Sequence, residues 1–368
     1  MTPRVLFVSR ERFRLPLDDT QRRKWDAVGE LLDYRIVAAA QPGSPTSAER
    51  FLLAGPTRPR ALDGALYYLR LPWRVAQELR RFHPDVVIAQ NVHETVIVLG
   101  ARAAVRSRAR VVLDLHGDWR AATRLYGSRL RALLNPVNDV VGPLAIRRAD
   151  AVRVISAWTA GLVRAEGVEP RAIFPAFVDA TAFRERPPAP LPARPRAVFV
   201  GVLEGVKGFD TLAAAWPRVA EALPEAELHV VGRGTLEPLA RTLVNRGASW
   251  TESTDAAGVA AAIDDSWVLC LPSRAEGLGR VAIEAMCRGR GVVGGDAGGI
   301  PDLVEDDVTG LLVTPGDPEQ LARAIVQVLG DRALAVRLGA AASRKGEEFA
   351  PTPAAYAAKV RALVDGLR

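Results

Sequence analysis

Cysteine is nearly absent from these 368 residues; there are two, Cys270 and Cys287. One sits in an apolar run and the other in a helical pattern, with no metal-type spacing. Both read as buried thiols of a reducing compartment, and no disulfide framework is expected. No segment approaches the roughly 20 apolar residues that span a bilayer. The N-terminal M-T-P-R-V-L-F-V-S-R-E-R carries an apolar run too short for a signal peptide core. A cytoplasmic protein is therefore expected. Lysine is scarce as well, at Lys24, Lys207, Lys345 and Lys359, so nearly all positive charge is arginine. No basic run interleaves with aromatics, which argues against nucleic acid as a partner.

Charge is present but unevenly spread. Residues 1–185 hold 29 basic and 19 acidic side chains, a balance of +10, against +7 for the whole chain. The remainder is therefore about −3. A basic first half attracts anionic ligands or lipid, although arginine-rich composition alone gives the same balance. The stretch L-Y-Y-L-R-L-P-W-R-V at 66–75 is both apolar and basic, so an anionic membrane surface is a candidate partner on the cytoplasmic side.

The length suits two domains. Short, continuous apolar runs alternate with helical patterns, which predicts parallel strands covered on both faces. Strands are expected at 4–9, 34–40, 85–90, 110–116 and 151–156, and again at 197–202, 227–232, 266–272, 291–295 and 310–315. Helices are expected at 20–32, 210–220, 237–244, 280–288 and 318–329. Between the two series, R-E-R-P-P-A-P-L-P-A-R-P-R (184–196) holds five prolines and reads as an extended linker. The expected division is residues 1–183, linker 184–196, and 197–368, with the last helix a candidate to cross back. Ligands of such α/β domains bind beyond the carboxyl ends of the strands, here in a cleft between the halves.

Three loops of the second half carry chemistry. V-F-V-G-V-L-E-G-V-K-G-F-D sets Gly201, Gly205, Lys207 and Gly208 between a strand and a helix. Glycines let backbone N–H groups approach an anion, and the lysine adds a point charge; an ordinary turn has the same composition. V-V-G-R-G-T (230–235) starts like a dinucleotide fingerprint, yet Glu237 stands where its third glycine belongs, which disfavours a dehydrogenase. S-R-A-E-G-L-G-R-V-A-I-E-A-M (273–286) spaces Glu276 and Glu284 eight residues apart around a strand-to-helix turn. Eight helical residues cover roughly 12 Å, a span suited to a sugar nucleotide. Glu284 can accept from both hydroxyls of a ribose diol, N–H groups from Gly277 to Arg280 can meet the diphosphate, and Glu276 faces the sugar. The plain alternative for Glu284 is an exposed helix glutamate.

The segment E-G-L-G-R-V-A-I-E resembles the E-x7-E motif of family-4 retaining glycosyltransferases, which have the two-Rossmann-domain GT-B fold. V-G-V-L-E-G-V-K-G and G-G-I-P-D-L-V-E-D-D-V-T-G-L-L-V resemble two further motifs of that family. The first half resembles it through D-L-H-G-D-W (114–119), R-R-A-D-A-V-R-V-I-S (147–156) and F-P-A-F-V-D (174–179). The resemblance implies a hexosyltransferase that moves sugar from a UDP- or GDP-sugar to a hydroxyl acceptor, with retention and without a metal or other cofactor. It implies His116, Glu276 and Lys207 as catalytic residues. Gly201, Lys207, Glu276, Glu284 and the backbone of Gly277, Leu278 and Gly279 would hold the donor. Val202 stands where the family has an arginine, and Arg233 or Arg274 is the expected replacement. S-R-E-R-F-R-L (9–15) stands where the family has a glycine pair; Arg10 and Arg12, with Asp118, are the candidate acceptor contacts. Cell-envelope polysaccharide or glycolipid synthesis would fit. A sugar-nucleotide epimerase of the same fold and a non-catalytic nucleotide-sugar scaffold are the rival readings.

Overall fold

The valine- and isoleucine-rich runs do form buried parallel strands. The computed structural model describes residues 2–57, 59, 62–124 and 135–368. Two compact units divide the chain: Val178–Ala350 makes the second, and Pro351–Arg368 joins the residues up to Phe177 in the first.

The first unit is built on β1 (Arg4–Phe13), β2 (Asp33–Ala40), β3 (Ser47–Ala48), β4 (Phe51–Ala54), β5 (Val86–Gln90), β6 (Arg110–Leu115), β7 (Ala151–Val154) and β8 (Ala172–Ile173). Their order is β3-β4-β2-β1-β5-β6-β7-β8. All neighbours run parallel except β3 and β4. Leu6 of β1 stands beside Arg35 of β2 and Val87 of β5. The last helix, Pro353–Asp365, packs on Asp19–Leu31, where Arg361 Nη1 donates to the Leu31 carbonyl at 2.9 Å. Its Tyr356, Val360 and Val364 enter one core with Val5, Phe13 and Trp25.

The second unit contains β9 (Arg196–Val200), β10 (Glu227–Val231), β11 (Ala248–Thr251), β12 (Val268–Leu271), β13 (Gly291–Gly295) and β14 (Gly310–Val313). Their order is β11-β10-β9-β12-β13-β14, all parallel. The helices at Phe209–Ala222 and Pro318–Gly330 cover the sheet around Trp216, Phe199 and Ile325, each fully buried.

The division between units falls at 177/178 rather than in the proline-rich stretch. That stretch is bound along its length to the second unit. Arg288 Nη1 donates to the Arg186 carbonyl at 2.6 Å and Arg290 Nη1 to that of Ala189 at 2.9 Å. The Trp267 indole and Arg332 both donate to the Pro192 carbonyl, at 2.9 and 2.7 Å. Prolines contribute acceptors without N–H groups, and buried arginines with five donors each are their natural partners. Segments β3, β4, β8 and β11, not expected from the sequence, are two to four residues long. No helix of the described residues is long and apolar enough to cross a membrane.

Candidate functional site

The strand order of the second unit determines where its loops part. From β9 the chain steps outward through β10 and β11, then returns to β12 on the other side of β9 and steps outward again. The connections after β9 and β12 therefore leave the sheet in opposite directions and open a crevice at the strands' carboxyl ends. A cavity of about 430 Å³ lies there, and its lining includes Phe199, Gly201, Lys207, Glu276, Arg280 and Glu284. Volume alone would not select it. Hollows of about 620 and 640 Å³ border the first unit's sheet beside Asp85, Arg110 and Arg4, but these residues mark the amino ends of strands, away from the loops that carry ligand chemistry.

The loop after β9 is anchored by Leu203, fully buried, and turns through a short 3-10 segment at Gly205–Lys207. Gly208 follows with φ +67°, and a Cβ there would overlap the Pro272 carbonyl of the loop after β12. The two loops are further joined by Arg274. Its guanidinium forks onto Asp210 at 2.7 and 2.8 Å, reaches Thr211 Oγ1 at 3.0 Å and also donates to the Gly205 carbonyl. Lys207 is thereby held against Glu276, with Nζ 2.6 Å from Oε2. A third loop supports the second: Gly299 N donates to the Glu276 carbonyl at 2.8 Å. This approach is close enough that Gly298, at φ +62°, has no room for a side chain.

The helix Arg280–Cys287 begins at Gly279, which has φ +92° and provides no side-chain cap. Its leading N–H groups are left for an external partner. One turn on, Glu284 is buried, with 6% of its surface exposed, and Arg280 Nε donates to its Oε1 at 2.7 Å. Burial raises the Glu284 pKa, and the Arg280 charge opposes the rise. The structure thus brings Gly201, Lys207, Glu276 and Glu284 to one cavity. Gly277, Leu278 and Gly279 form the chain that connects the two glutamates. Arg274 and Arg233 stand elsewhere: the first is engaged as described, the second pairs with Glu252, and neither lines the cavity. Arg280 was not singled out for its side chain, although the i,i+4 spacing to Glu284 was a readable signal.

In the first unit His116 follows β6. Its Nδ1 meets Gln90 Nε2 at 3.2 Å and its Nε2 meets Asp114 Oδ2 at 3.0 Å. Arg153 Nη1 also approaches Nε2, at 3.3 Å. Burial would raise the Asp114 pKa, but the adjoining Arg153 and His116 hold it well below the usual carboxylate range. Arg153 is itself buried and donates to the carbonyls of Phe174 and Pro175, both at 2.7 Å. Asp118 Oδ1 accepts from the Arg120 N–H at 2.9 Å. Arg10 lies over the Tyr68 ring at 5.6 Å, and Arg12 pairs with Asp63 at 2.5 Å.

Solved structures share this architecture. Sucrose-phosphate synthase from Thermosynechococcus elongatus superposes with a TM-score of 0.81 at 20% identity, over 99% of this chain and 99% of that one. HepE from Anabaena, in complex with UDP, superposes with 0.69 at 18% identity, over 98% and 99%. The fold is therefore GT-B. At the sequence level, residues 194–331 match the "Glycosyl transferases group 1" domain and residues 31–181 match "Glycosyltransferase Family 4". The chain is 30% identical to a GDP-mannose-dependent alpha-(1-6)-phosphatidylinositol monomannoside mannosyltransferase of Mycobacterium tuberculosis, over 69% of its own length and 71% of the relative's. It is 29% identical to the sulfoquinovosyl transferase SQD2 of Arabidopsis thaliana, over 87% of its own length and 65% of that protein's. It belongs to glycosyltransferase family 4.

Proposed function

We propose that the protein transfers a hexose from a nucleoside-diphosphate sugar to a hydroxyl acceptor, with retention at the anomeric carbon. One observation carries this reading: a buried carboxylate, Glu284, and an ion-paired lysine, Lys207, share a cavity of about 430 Å³ at a sheet's switch point. A buried carboxylate aimed at a vicinal diol, with the N-terminus of a helix one turn away, is chemistry for a ribose joined to a diphosphate. Lys207 and the N–H groups from Gly277 to Arg280 neutralise charge as it develops on the leaving diphosphate, an electrostatic mode of catalysis. Glu276 contacts the donor sugar, His116 acts on the side of the acceptor, and the leaving phosphate takes the acceptor's proton. Among the described residues no cluster of three His, Cys, Asp or Glu side chains is arranged to hold a metal.

The two curated relatives act, by name, on a sulfoquinovosyl group and on a phosphatidylinositol mannoside; a glycolipid or envelope saccharide acceptor is proposed on that basis. Peripheral contact with an anionic membrane on the cytoplasmic side fits this choice. The helix Asp63–Arg81 exposes Leu69 and Trp73 to 74% and 75%, one turn apart and beside Arg70. Arg10, Arg12 and Asp118 are the acceptor-side candidates.

Thermal unfolding with UDP, GDP, ADP and their sugars tests the reading. A ligand at 100 times its dissociation constant adds about 2.7 kcal/mol. One nucleotide series is expected to stabilise the wild type, and Glu284→Ala is expected to abolish the shift. No stabilisation by any of them would overturn the proposal. Nucleotide released only when acceptor is present would distinguish a transferase from an epimerase and from a silent binder.

A further inference from the structure

The charges lining the donor cavity do not suit a diphosphate as they stand. Its lining supplies two cations, Lys207 and Arg280, against three carboxylates, Asp255, Glu276 and Glu284. Asp255 is occupied as a helix cap, accepting from the Gly258 N–H at 2.8 Å. Each cation is matched to one glutamate, Lys207 to Glu276 at 2.6 Å and Arg280 to Glu284 at 2.7 Å. A ligand with at least two negative charges must draw on these pairs. Arg274, forked onto Asp210, is already employed in holding the loops together.

The two ion pairs are not equally fixed. Lys207 and Glu276 are 27% and 16% exposed, so both partners are confined. In the other pair the side chain of the glutamate is 8% exposed and that of the arginine 63%. Arg280 is therefore the partner that can leave. It occupies the first position of the helix Arg280–Cys287, where anions are already favoured by the free N–H groups. Its planar fork can bind two phosphate oxygens at once, which an ammonium cannot.

We propose that Arg280 is a diphosphate ligand that guards Glu284 while the cavity is empty. Donor binding exchanges partners: ribose hydroxyls take over the Glu284 carboxylate, and the released guanidinium moves to the diphosphate. The inference rests on the donor-site reading above and adds to it a second cation, placed where Val202 leaves the strand loop without one. It also gives the cavity a means of discrimination, since a nucleoside lacking phosphate breaks the Arg280–Glu284 pair without offering the arginine a new partner.

A ladder of ligands tests this by calorimetry. Nucleoside, nucleoside monophosphate and nucleoside diphosphate are titrated in the uridine, guanosine and adenosine series into wild type, Arg280→Ala and Arg280→Lys. The diphosphate is expected to lose about 10- to 100-fold in affinity with Arg280→Ala, the scale of one charge-assisted contact. The nucleoside is expected to hold or gain, and Arg280→Lys to recover part of the loss. The salt dependence of diphosphate binding should also flatten in the alanine variant. An equal loss for all three ligands would mean that Arg280 only positions Glu284, and would overturn the proposal. Unchanged diphosphate affinity in Arg280→Ala would overturn it while leaving the donor reading intact. A wild type that binds no nucleoside diphosphate would defeat both.

Discussion

Burial gives two glutamates of this chain unusual acid–base behaviour, one in each unit. Glu94, 2% exposed at the start of the helix Val92–Val105, accepts from the Tyr68 hydroxyl at 3.0 Å through Oε1, while Oε2 has no hydrogen-bond partner. Burial pushes its pKa from 4.5 to about 7, against the pull of its own backbone N–H and of Tyr68. Between those values the folded protein holds a proton that the unfolded chain has lost. The group's contribution to stability is thus full below pH 4.5 and declines as pH rises through about 7. Denaturant unfolding of wild type at pH 5 and pH 8 should differ by on the order of 3 kcal/mol from this group, and Glu94→Gln should remove that difference. Glu284 shares the direction of shift, and for it the ionised form is the one that accepts from a diol. At residue level the sequence was informative about type and weak about partners. Lys207, Glu276 and Glu284 could be picked out by motif, whereas Arg274 finds Asp210 some 64 positions away, a pairing that only the fold creates.

Elements were legible where apolar runs were continuous. Strands β12 and β13 are buried throughout and β5 in all but Gln90, and their continuous apolar runs admit little else. The edge strand β11, A-S-W-T, has no fully buried residue, so periodicity had nothing to register. The proline-rich stretch misled for a related reason: composition shows that it is extended, and says nothing of the arginines it rests on. Loop architecture is the more sensitive level for function. Gly43 and Gly298 both have left-handed backbone, at φ +79° and +62°, yet only Gly298 faces another chain segment, the backbone of Glu276. Gly43→Ala should cost about 1 kcal/mol from conformation alone. Gly298→Ala should cost about 2–3 kcal/mol in thermal unfolding and weaken donor binding, because the loop carrying Glu276 must shift. Equal effects at the two positions would show that crowding against that loop is unimportant.

At the level of the whole molecule, most of residues 1–185, whose balance is +10, lies in the unit that exposes the Leu69–Trp73 pair. Electrostatic attraction and a small apolar anchor together are a recognised route to reversible membrane contact. Sedimentation with vesicles of phosphatidylglycerol should carry down the wild type at low salt, release it as salt rises, and leave Trp73→Ser in the supernatant; neutral phosphatidylcholine vesicles should not bind it. Equal binding to both vesicles would remove charge from the explanation.

The last helix has a consequence for the order of assembly. Tyr356, Val360 and Val364 share a core with Val5, Phe13 and Trp25, while Val178–Ala350 encloses its own. A ribosome therefore finishes the second unit while the first, made earlier, still lacks a wall of its interior. The unit begun earlier closes later, and its apolar seat beside Trp25 stays open to chaperones or to aggregation until the helix Pro353–Asp365 emerges.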